Sequence, residues 1–358
     1  MNSSSRALFY TISLIIIIFT STATAQAPFK CTTPTTCEAI IDYIPANATT
    51  YSAVKTLFGI KNLRSLFGAN SLPLNTSPTQ TIPPKQKTKI PFPCICNNGT
   101  GISNKRPIYT VKPGDGLDFI ARTVYSNLLK YQQIVEVNNI KDPNKIDVGQ
   151  KFVIPLPCSC DDVDGMKVVH YGFVVPTGSS VDQIATQFET NSATLLRLND
   201  LASPNDLMAD SVLDVPLRAC NSSINTTSLD YPLLVPNGTY TFTANNCVQC
   251  TCQKSNNWIL QCDPSPEGVK TPNWPKCPSM QCASGLSLGK TTSSSSCGVS
   301  TCSYTGYNNQ TILTSVIGGP TCTTNGGEGS PSNDARKVGS RLLSSIWLLI
   351  PLVFSLLW

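Results

Sequence analysis

The chain has 358 residues, of which 13% are charged, with sixteen cysteines and a formal net charge of +5. Ordinary soluble domains carry roughly 25% charged residues, so solubility must come from another source. A balance this near neutral speaks against nucleic acid or anionic lipid as an electrostatic partner, and so many cysteines speak against a reducing compartment.

The first 25 residues read as a signal peptide. Arg6 supplies a positive start, residues 7–19 an apolar run too short to span a bilayer, and Ala23-Thr24-Ala25 a cleavage site. The mature chain is expected to begin at Gln26. Seven asparagines sit in Asn-x-Ser/Thr without proline: Asn47, Asn75, Asn98, Asn221, Asn225, Asn237 and Asn309. Glycans on them offer the missing route to solubility.

Residues 26–97 form a first unit in which Phe58, Leu63, Leu66 and Phe67 can pack a small core. A Pro/Thr/Lys-rich stretch follows, and its Lys85, Lys87 and Lys89 read as a solvated linker. The unit ends on Pro91-Phe92-Pro93-Cys94-Ile95-Cys96, a pattern that returns as Pro155-Leu156-Pro157-Cys158-Ser159-Cys160. Pro216-Leu217-Arg218-Ala219-Cys220 closes a third unit at similar spacing, so the architecture is modular. Cysteines two apart on an extended segment point the same way and cannot readily bond each other. Each must reach a different partner, and the pairs are expected to clamp units together. Six cysteines allow fifteen pairings, and spacing does not choose among them.

Residues 107–156 are the best-lettered unit. Tyr109 and Val111 alternate as a strand, and Lys112-Pro113-Gly114-Asp115-Gly116 is strong turn chemistry. Ile120, Ala121 and Val124 keep helical spacing, as do Ile134, Val135 and Val137; Asn138-Asn139 ends that second helix. Residues 151–154 read as a returning strand closed by Pro155. Residues 168–217 repeat the plan with weaker lettering: Ile184-Ala185 matches Ile120-Ala121, and Asn199 precedes Pro216 by seventeen residues, as Asn138 precedes Pro155. Ser180 and Ser192 are read as the caps of its two helices.

Residues 220–325 hold the remaining cysteines: Cys220, Cys247, Cys250, Cys252, Cys262, Cys277, Cys282, Cys297, Cys302 and Cys322. In an oxidising compartment these read as a disulfide-stapled, mainly β domain rather than a metal site. Residues 342–358 are a second hydrophobic stretch, preceded by Arg336, Lys337 and Arg341 and by small residues. That order reads as a GPI-attachment signal. Asn333 is the preferred lipidation site, Gly329 or Ser330 are alternatives, and residues 334–358 would be removed. A tail-anchored single span is the competing reading; with either one no cytoplasmic domain is expected. The two removals bring the formal charge to about +2.

The pattern Y-x-V-x-P-G-D-x-L-x-x-I-A, then N-N, then V-G-Q-x-apolar-x-I-P resembles a LysM module. That resemblance implies a β-α-α-β fold that binds polysaccharides containing N-acetylglucosamine. The full order of signal, three units separated by C-x-C, Cys-rich region and anchor signal resembles the plant LysM domain-containing GPI-anchored proteins, in their chitin-binding branch. The expected fold is α+β: three tandem β-α-α-β modules, the first degenerate, tied by C-x-C disulfides and followed by the Cys-rich domain. The resemblance implies the pairs Cys31–Cys96, Cys37–Cys160 and Cys94–Cys158. It also implies a chitin receptor of plant innate immunity that acts with a LysM receptor-like kinase. A homodimer on long ligands is expected, since a repeating sugar can bridge two copies.

Chitin is uncharged, so its recognition needs backbone donors and acceptors together with small apolar pockets. In the family, two loops of the module make the sugar groove. Carried onto the second unit, they are Gly114, Asp115, Gly116, Leu117, Asp118, Phe119 and Ile120, and Ile140, Lys141, Asp142, Pro143, Asn144, Lys145 and Ile146. The competing reading gives Asp115 and Asp118 to stabilising the helix start, and Leu117 and Ile120 to the core. Peptidoglycan, which shares N-acetylglucosamine, is the rival ligand. A chitin or peptidoglycan hydrolase is the enzyme alternative, but hydrolysis needs two framing carboxyl groups. The densest acids, Asp161, Asp162 and Asp164, fall in an expected linker, and His170 is the one histidine. No enzyme activity, cofactor, metal or nucleic-acid partner is expected.

Overall fold

A computed structural model describes residues 29–318, apart from 284 and 295–297. The signal peptide, the anchor signal with Asn333, and Cys297 and Cys322 lie outside the described residues.

Chain order reads β1 (Phe29–Lys30), β2 (Thr35–Tyr43), β3 (Thr49–Thr50), α1 (Tyr51–Leu57), α2 (Leu63–Ala69), β4 (Thr81–Ile82), β5 (Thr88–Asn97) and β6 (Thr100–Ser103). The second unit contributes β7 (Ile108–Thr110), α3 (Leu117–Phe119), α4 (Tyr131–Val137) and β8 (Lys151–Val153). The third contributes β9 (Val168–Val174), α5 (Val181–Gln187), α6 (Ser192–Leu198) and β10 (Val212–Arg218). The Cys-rich region holds two three-stranded sheets, β11 (Tyr240–Thr243) to β13 (Gln261–Pro264) around β12 (Val248–Thr251), and β14 (Thr291–Ser294) to β16 (Thr311–Gly318) around β15 (Gly298–Asn308).

One device recurs in each helical unit. The Asn138 side-chain amide donates to the carbonyls of Ile134 (2.9 Å) and Val153 (2.8 Å), and its oxygen accepts from Val153 N–H at 2.8 Å. A helix end is thereby tied to the returning strand and its orphan carbonyl is satisfied. Asn199 makes the same three bonds with Leu195 and Asp214, and Asn70 makes them with Leu66 and Lys89.

The units are fused through β2. It pairs antiparallel with β5, from Thr35↔Cys96 to Tyr43↔Thr88, and parallel with β9 at Ile40↔Tyr171 and Ile41↔Gly172. The resulting six-stranded sheet has the order β1-β6-β5-β2-β9-β10. Gly172 is needed for that approach, because a Cβ there would stand 2.8 Å from Ile41 Cγ1. One face of β2 gives Ala39, Ile41 and Tyr43 to a core shared with the second unit's Tyr109, Tyr125 and Leu128; Ile40 joins the third unit's core of Tyr171, Phe173 and Leu213. Disulfides fasten the same elements: Cys31–Cys96, Cys37–Cys160 and Cys94–Cys158. In the Cys-rich region the bonds are Cys220–Cys252, Cys247–Cys277, Cys250–Cys262 and Cys282–Cys302.

The structure corrects two expectations. Lys87 and Lys89 are not a solvated linker: both are half-buried, whereas Lys85 is exposed. Lys87 Nζ lies 2.8 Å from the fully buried carboxylate of Asp42 and 3.8 Å from the Phe173 ring centroid, and Lys89 reaches over Tyr171. Asp42 also accepts from Tyr171 O–H and from Val174 N–H. Strand alternation puts both lysines on the face that meets the third unit. Ser192 is not a cap either; Asn191 takes that position, its oxygen accepting from Thr194 N–H at 2.8 Å, while Ser180 caps α5 as expected.

His170 is buried in β9. Its Nδ1 is 2.9 Å from both Asp214 oxygens and its Nε2 is 2.8 Å from the Asp161 carbonyl, so both ring nitrogens face acceptors. Burial opposes the charged ring, but Asp214 and the Asp161 carbonyl outweigh it and hold the imidazole above its ordinary pKa. A raised folded pKa gives stability that is complete below the unfolded value near 6.5 and is lost as pH rises through the folded one. Urea midpoints should therefore fall as pH rises from 6 towards 9, and His170→Gln should flatten the slope. An unchanged slope would remove His170 as its source. Separately, Asn138→Ala should cost about 2–4 kcal/mol in thermal or chemical unfolding, because it leaves buried backbone groups of α4 and β8 unpaired; a loss below about 0.5 kcal/mol would show the clasp to be dispensable.

Candidate functional site

The β7–α3 turn is shaped by a local clasp. Asp115 Oδ2 accepts from Tyr109 O–H and from Lys112 N–H, each at 2.8 Å, and Asp115 N–H returns to the Lys112 carbonyl at 3.1 Å. Burial and the Asp115 carboxylate push the Tyr109 phenol well above its usual range. Asp115 thus holds the turn from within. Asp118 is exposed and pairs with Arg122 one turn on, at 2.8 Å.

The two glycines differ. Gly114 has φ +86, a left-handed conformation that a side chain would strain. Gly116 has φ −120 and ψ 160, which any residue adopts, and a Cβ there would meet nothing within 4 Å. The fold does not demand glycine at 116; its effect is to leave the backbone bare. No side chain caps α3 at Gly116, whereas Ser180, at the matching position of the third unit, caps α5 by accepting from Gln183 N–H. The first amides of α3 are therefore left for solvent or a ligand.

Beyond α3 the helix widens rather than ending. Tyr125 N–H reaches back five residues to the Ile120 carbonyl and Asn127 N–H six to Ala121, each at 3.0 Å. This turn lets Tyr125 and Ser126 bond the carbonyls of Leu57 and Ile44 in the first unit. Such widened turns leave no periodic mark in a sequence, so a plain helix was expected.

The second loop is an Asx turn. Asp142 Oδ1 accepts from Asn144 N–H at 3.0 Å, and its carbonyl accepts from Lys145 N–H at 3.0 Å. Ile140 and Ile146 are half-buried against the same core that holds Leu117 and Ile120, and Pro143 is half-buried between them in sequence. The two loops thus converge on one core cluster. Facing out are Gly114, Gly116, Asp118 and Phe119 from the first loop and Lys141, Asn144 and Lys145 from the second. Leu117 and Ile120 follow the competing reading: at 3% and 0% exposure their side chains are the floor beneath the loops rather than a surface for a ligand. Phe119, 47% exposed, and Val148, 64% exposed, are apolar surface beside the turn and just past the second loop. Val148 was not singled out in the sequence, where it stands only as the first letter of the V-G-Q pattern before the returning strand. All seven sequon asparagines are exposed.

The fold and site define a disulfide-clamped LysM protein. The LysM domain family matches residues 109–155 and 173–216. The chain is 47% identical over 331 residues to LysM domain-containing GPI-anchored protein 2 of Arabidopsis thaliana, covering 91% of each chain. It is 39% identical over 335 residues to the chitin elicitor-binding protein of Oryza sativa subsp. japonica, covering 92% of each. Among solved structures, the ectodomain of a receptor like kinase is similar at 21% identity and a TM-score of 0.43, over 52% of this chain and 92% of that one. The chain belongs to the LysM domain-containing GPI-anchored proteins.

Gly116→Val tests whether the bare backbone matters. A valine fits the local conformation, so stability should change by less than about 0.5 kcal/mol, while affinity for chitin oligomers should fall at least roughly tenfold, or 1.4 kcal/mol. Unchanged affinity with an intact fold would move the site away from this turn.

Proposed function

We propose that the protein is a GPI-anchored receptor on the outer face of the plasma membrane. It binds chitin oligosaccharides and signals in plant innate immunity through a LysM receptor-like kinase. The observation that carries this reading is the uncapped, side-chain-free turn at Gly114 and Gly116, set on one core with the half-buried Ile140 and Ile146. An N-acetylglucosamine unit needs backbone partners for its acetamide and a small apolar surface for its methyl. The turn and the loop supply both. The rice relative is named a chitin elicitor-binding protein, and the Arabidopsis relative is named as GPI-anchored.

The second unit is the binding module in this reading. The third is a LysM module whose equivalent turn carries the Ser180 side chain, which takes up the Gln183 N–H. Residues 26–97 are a degenerate first module, supported by the helix pair and the Asn70 clasp. Both serve as scaffold. The sugar site is a binding site; the named relatives are binding or anchored proteins, and product analysis after prolonged incubation with chitin heptamer should return intact heptamer. Shorter fragments would make the protein a hydrolase.

A lipid anchor reaches only the outer leaflet, so the signal must cross through a membrane-spanning partner. A long chitin oligomer presents equivalent epitopes along its length, and once one end is held, binding of a second ectodomain is effectively intramolecular. Light scattering should therefore show tetramer occupying the site without joining two proteins, and octamer joining them. Ile146→Glu should weaken both steps together. Equal dimerisation by tetramer and octamer would replace bridging with a ligand-induced shape change. Displacement of labelled octamer by peptidoglycan as readily as by chitin would move the specificity to N-acetylglucosamine polymers generally.

A further inference from the structure

A cavity of about 470 Å³ lies between the large sheet and the start of the Cys-rich region, away from both loops of the sugar site. That volume is in the range of small-molecule sites, about 300–1,000 Å³. Its floor is one face of β2 and β5. Thr36, Glu38 and Ile40 alternate onto that face, and the register places Pro93 across from Glu38 and Pro91 across from Ile40. Its roof is residues 229–236 and β11, including Tyr231, Tyr240 and Phe242.

The roof is fixed rather than merely resting on the floor. Tyr240 O–H donates to the Leu72 carbonyl at 2.6 Å, and Gly68 lies so close beneath it that a Cβ would stand 2.0 Å from the Tyr240 carbonyl oxygen. Asn62 Nδ2 donates to Asn246 Oδ1 at 2.8 Å across the same junction.

The charge inside is one-sided. Asp230 lines the wall, but its carboxylate is already committed to Ser228, Thr243 and Tyr304 hydroxyls. Glu38 has no hydrogen-bond or ion-pair partner among the described residues. Lys61 acts on it only through space, and Arg64 is turned towards the Phe242 ring, 5.9 Å from its centroid. No lysine or arginine lines the cavity among the described residues. Glu38 is exposed, and its carboxylate opens on a cleft of rings and hydrocarbon in which it is the one uncommitted charge, so a cation is its natural counterpart.

We propose that this cavity binds a small organic ammonium ion. The ammonium sits on the Glu38 carboxylate, and the hydrocarbon body lies between the floor prolines and the aromatic rings of the roof, which favour cations at their faces. This site is independent of the sugar-binding reading and of its loops.

The atoms packed around the cleft push the Glu38 carboxyl upwards, while Lys61 and contact with solvent oppose them. Tyr240 is pushed up to about 12 by burial and stays neutral throughout. Protonation of Glu38 removes the ammonium's partner, so affinity should fall as pH drops from 8 to 5.5.

The test is calorimetric titration of the purified protein with 2-phenylethylamine and with its neutral counterpart 2-phenylethanol. At pH 8 the amine should bind at least tenfold more tightly than the alcohol, and that preference should shrink at pH 5.5. Glu38→Gln should abolish both the preference and its pH dependence while leaving chitin binding unchanged. Thr36→Trp, which fills the cavity from an exposed lining position, should block both probes. Absence of amine binding at millimolar concentration, equal affinity for the alcohol, or full affinity in E38Q would each overturn the proposal. Should E38Q fail to fold, the wild-type comparison of amine and alcohol across pH, with Thr36→Trp, decides alone.

Discussion

Strand β2 is hydrogen-bonded along one edge to β5 of its own unit and along the other to β9 of the third unit, and no other strand joins two helical units in this way among the described residues. Units of about fifty residues bury little apolar surface by themselves. Sharing a strand lets β2 give its two faces to two different cores. Disulfides then fasten that strand and its neighbours: Cys37 on β2 reaches Cys160 beyond the second unit, and Cys94 on β5 reaches Cys158. Bridges closing such long loops typically add about 2–4 kcal/mol each. The buried Asp42, held by Lys87, Tyr171 and Val174, fixes which part of β9 meets β2. Burial still pushes its carboxyl above the usual range. Removing either lysine or tyrosine would leave a charge stranded, so the contact specifies one arrangement more than it stabilises it.

This rigidity serves the second unit. Its own secondary structure is slight, with two three-residue strands, a three-residue helix that runs into a widened turn and one seven-residue helix. What positions its loops is attachment: Tyr125 and Ser126 to the first unit, Asn138 to the returning strand, and Asp115 within the turn. A turn without a capping side chain can then be kept open, because its geometry is enforced from behind. In the third unit the matching position is Ser180, whose side chain takes up the Gln183 N–H.

Much of this was legible in the sequence. The C-x-C repeats, the G-D turn and the matched spacing of Asn138 and Asn199 mark the units and the helix ends, and alternation at Tyr109 and Val111 marks the strand. Spacing did not reveal that the asparagines act as clasps, since a side-chain bond to a strand fifteen residues away has no local signature. The roles of Lys87 and Lys89 were illegible for a related reason. Three lysines among prolines read as solvent-exposed until the fold brings Asp42 and the third unit's aromatic rings against them. At the proposed sugar site, residue type marked the turn at Gly114 and offered the core reading of Leu117 and Ile120, but not the exposure of Phe119 between them. The cavity beside Glu38 arises between segments roughly 190 residues apart, beyond the reach of any sequence pattern.

In the proposed reading, the second unit binds sugar through a bare backbone turn while the third, with the same fold, does not. Backbone amide NMR of the purified protein, titrated with chitin tetramer, tests it most directly. Shifts should concentrate at residues 114–119 and 140–146, with none at 178–183 or 201–207. Comparable shifts in both units, or shifts confined to the third, would contradict it.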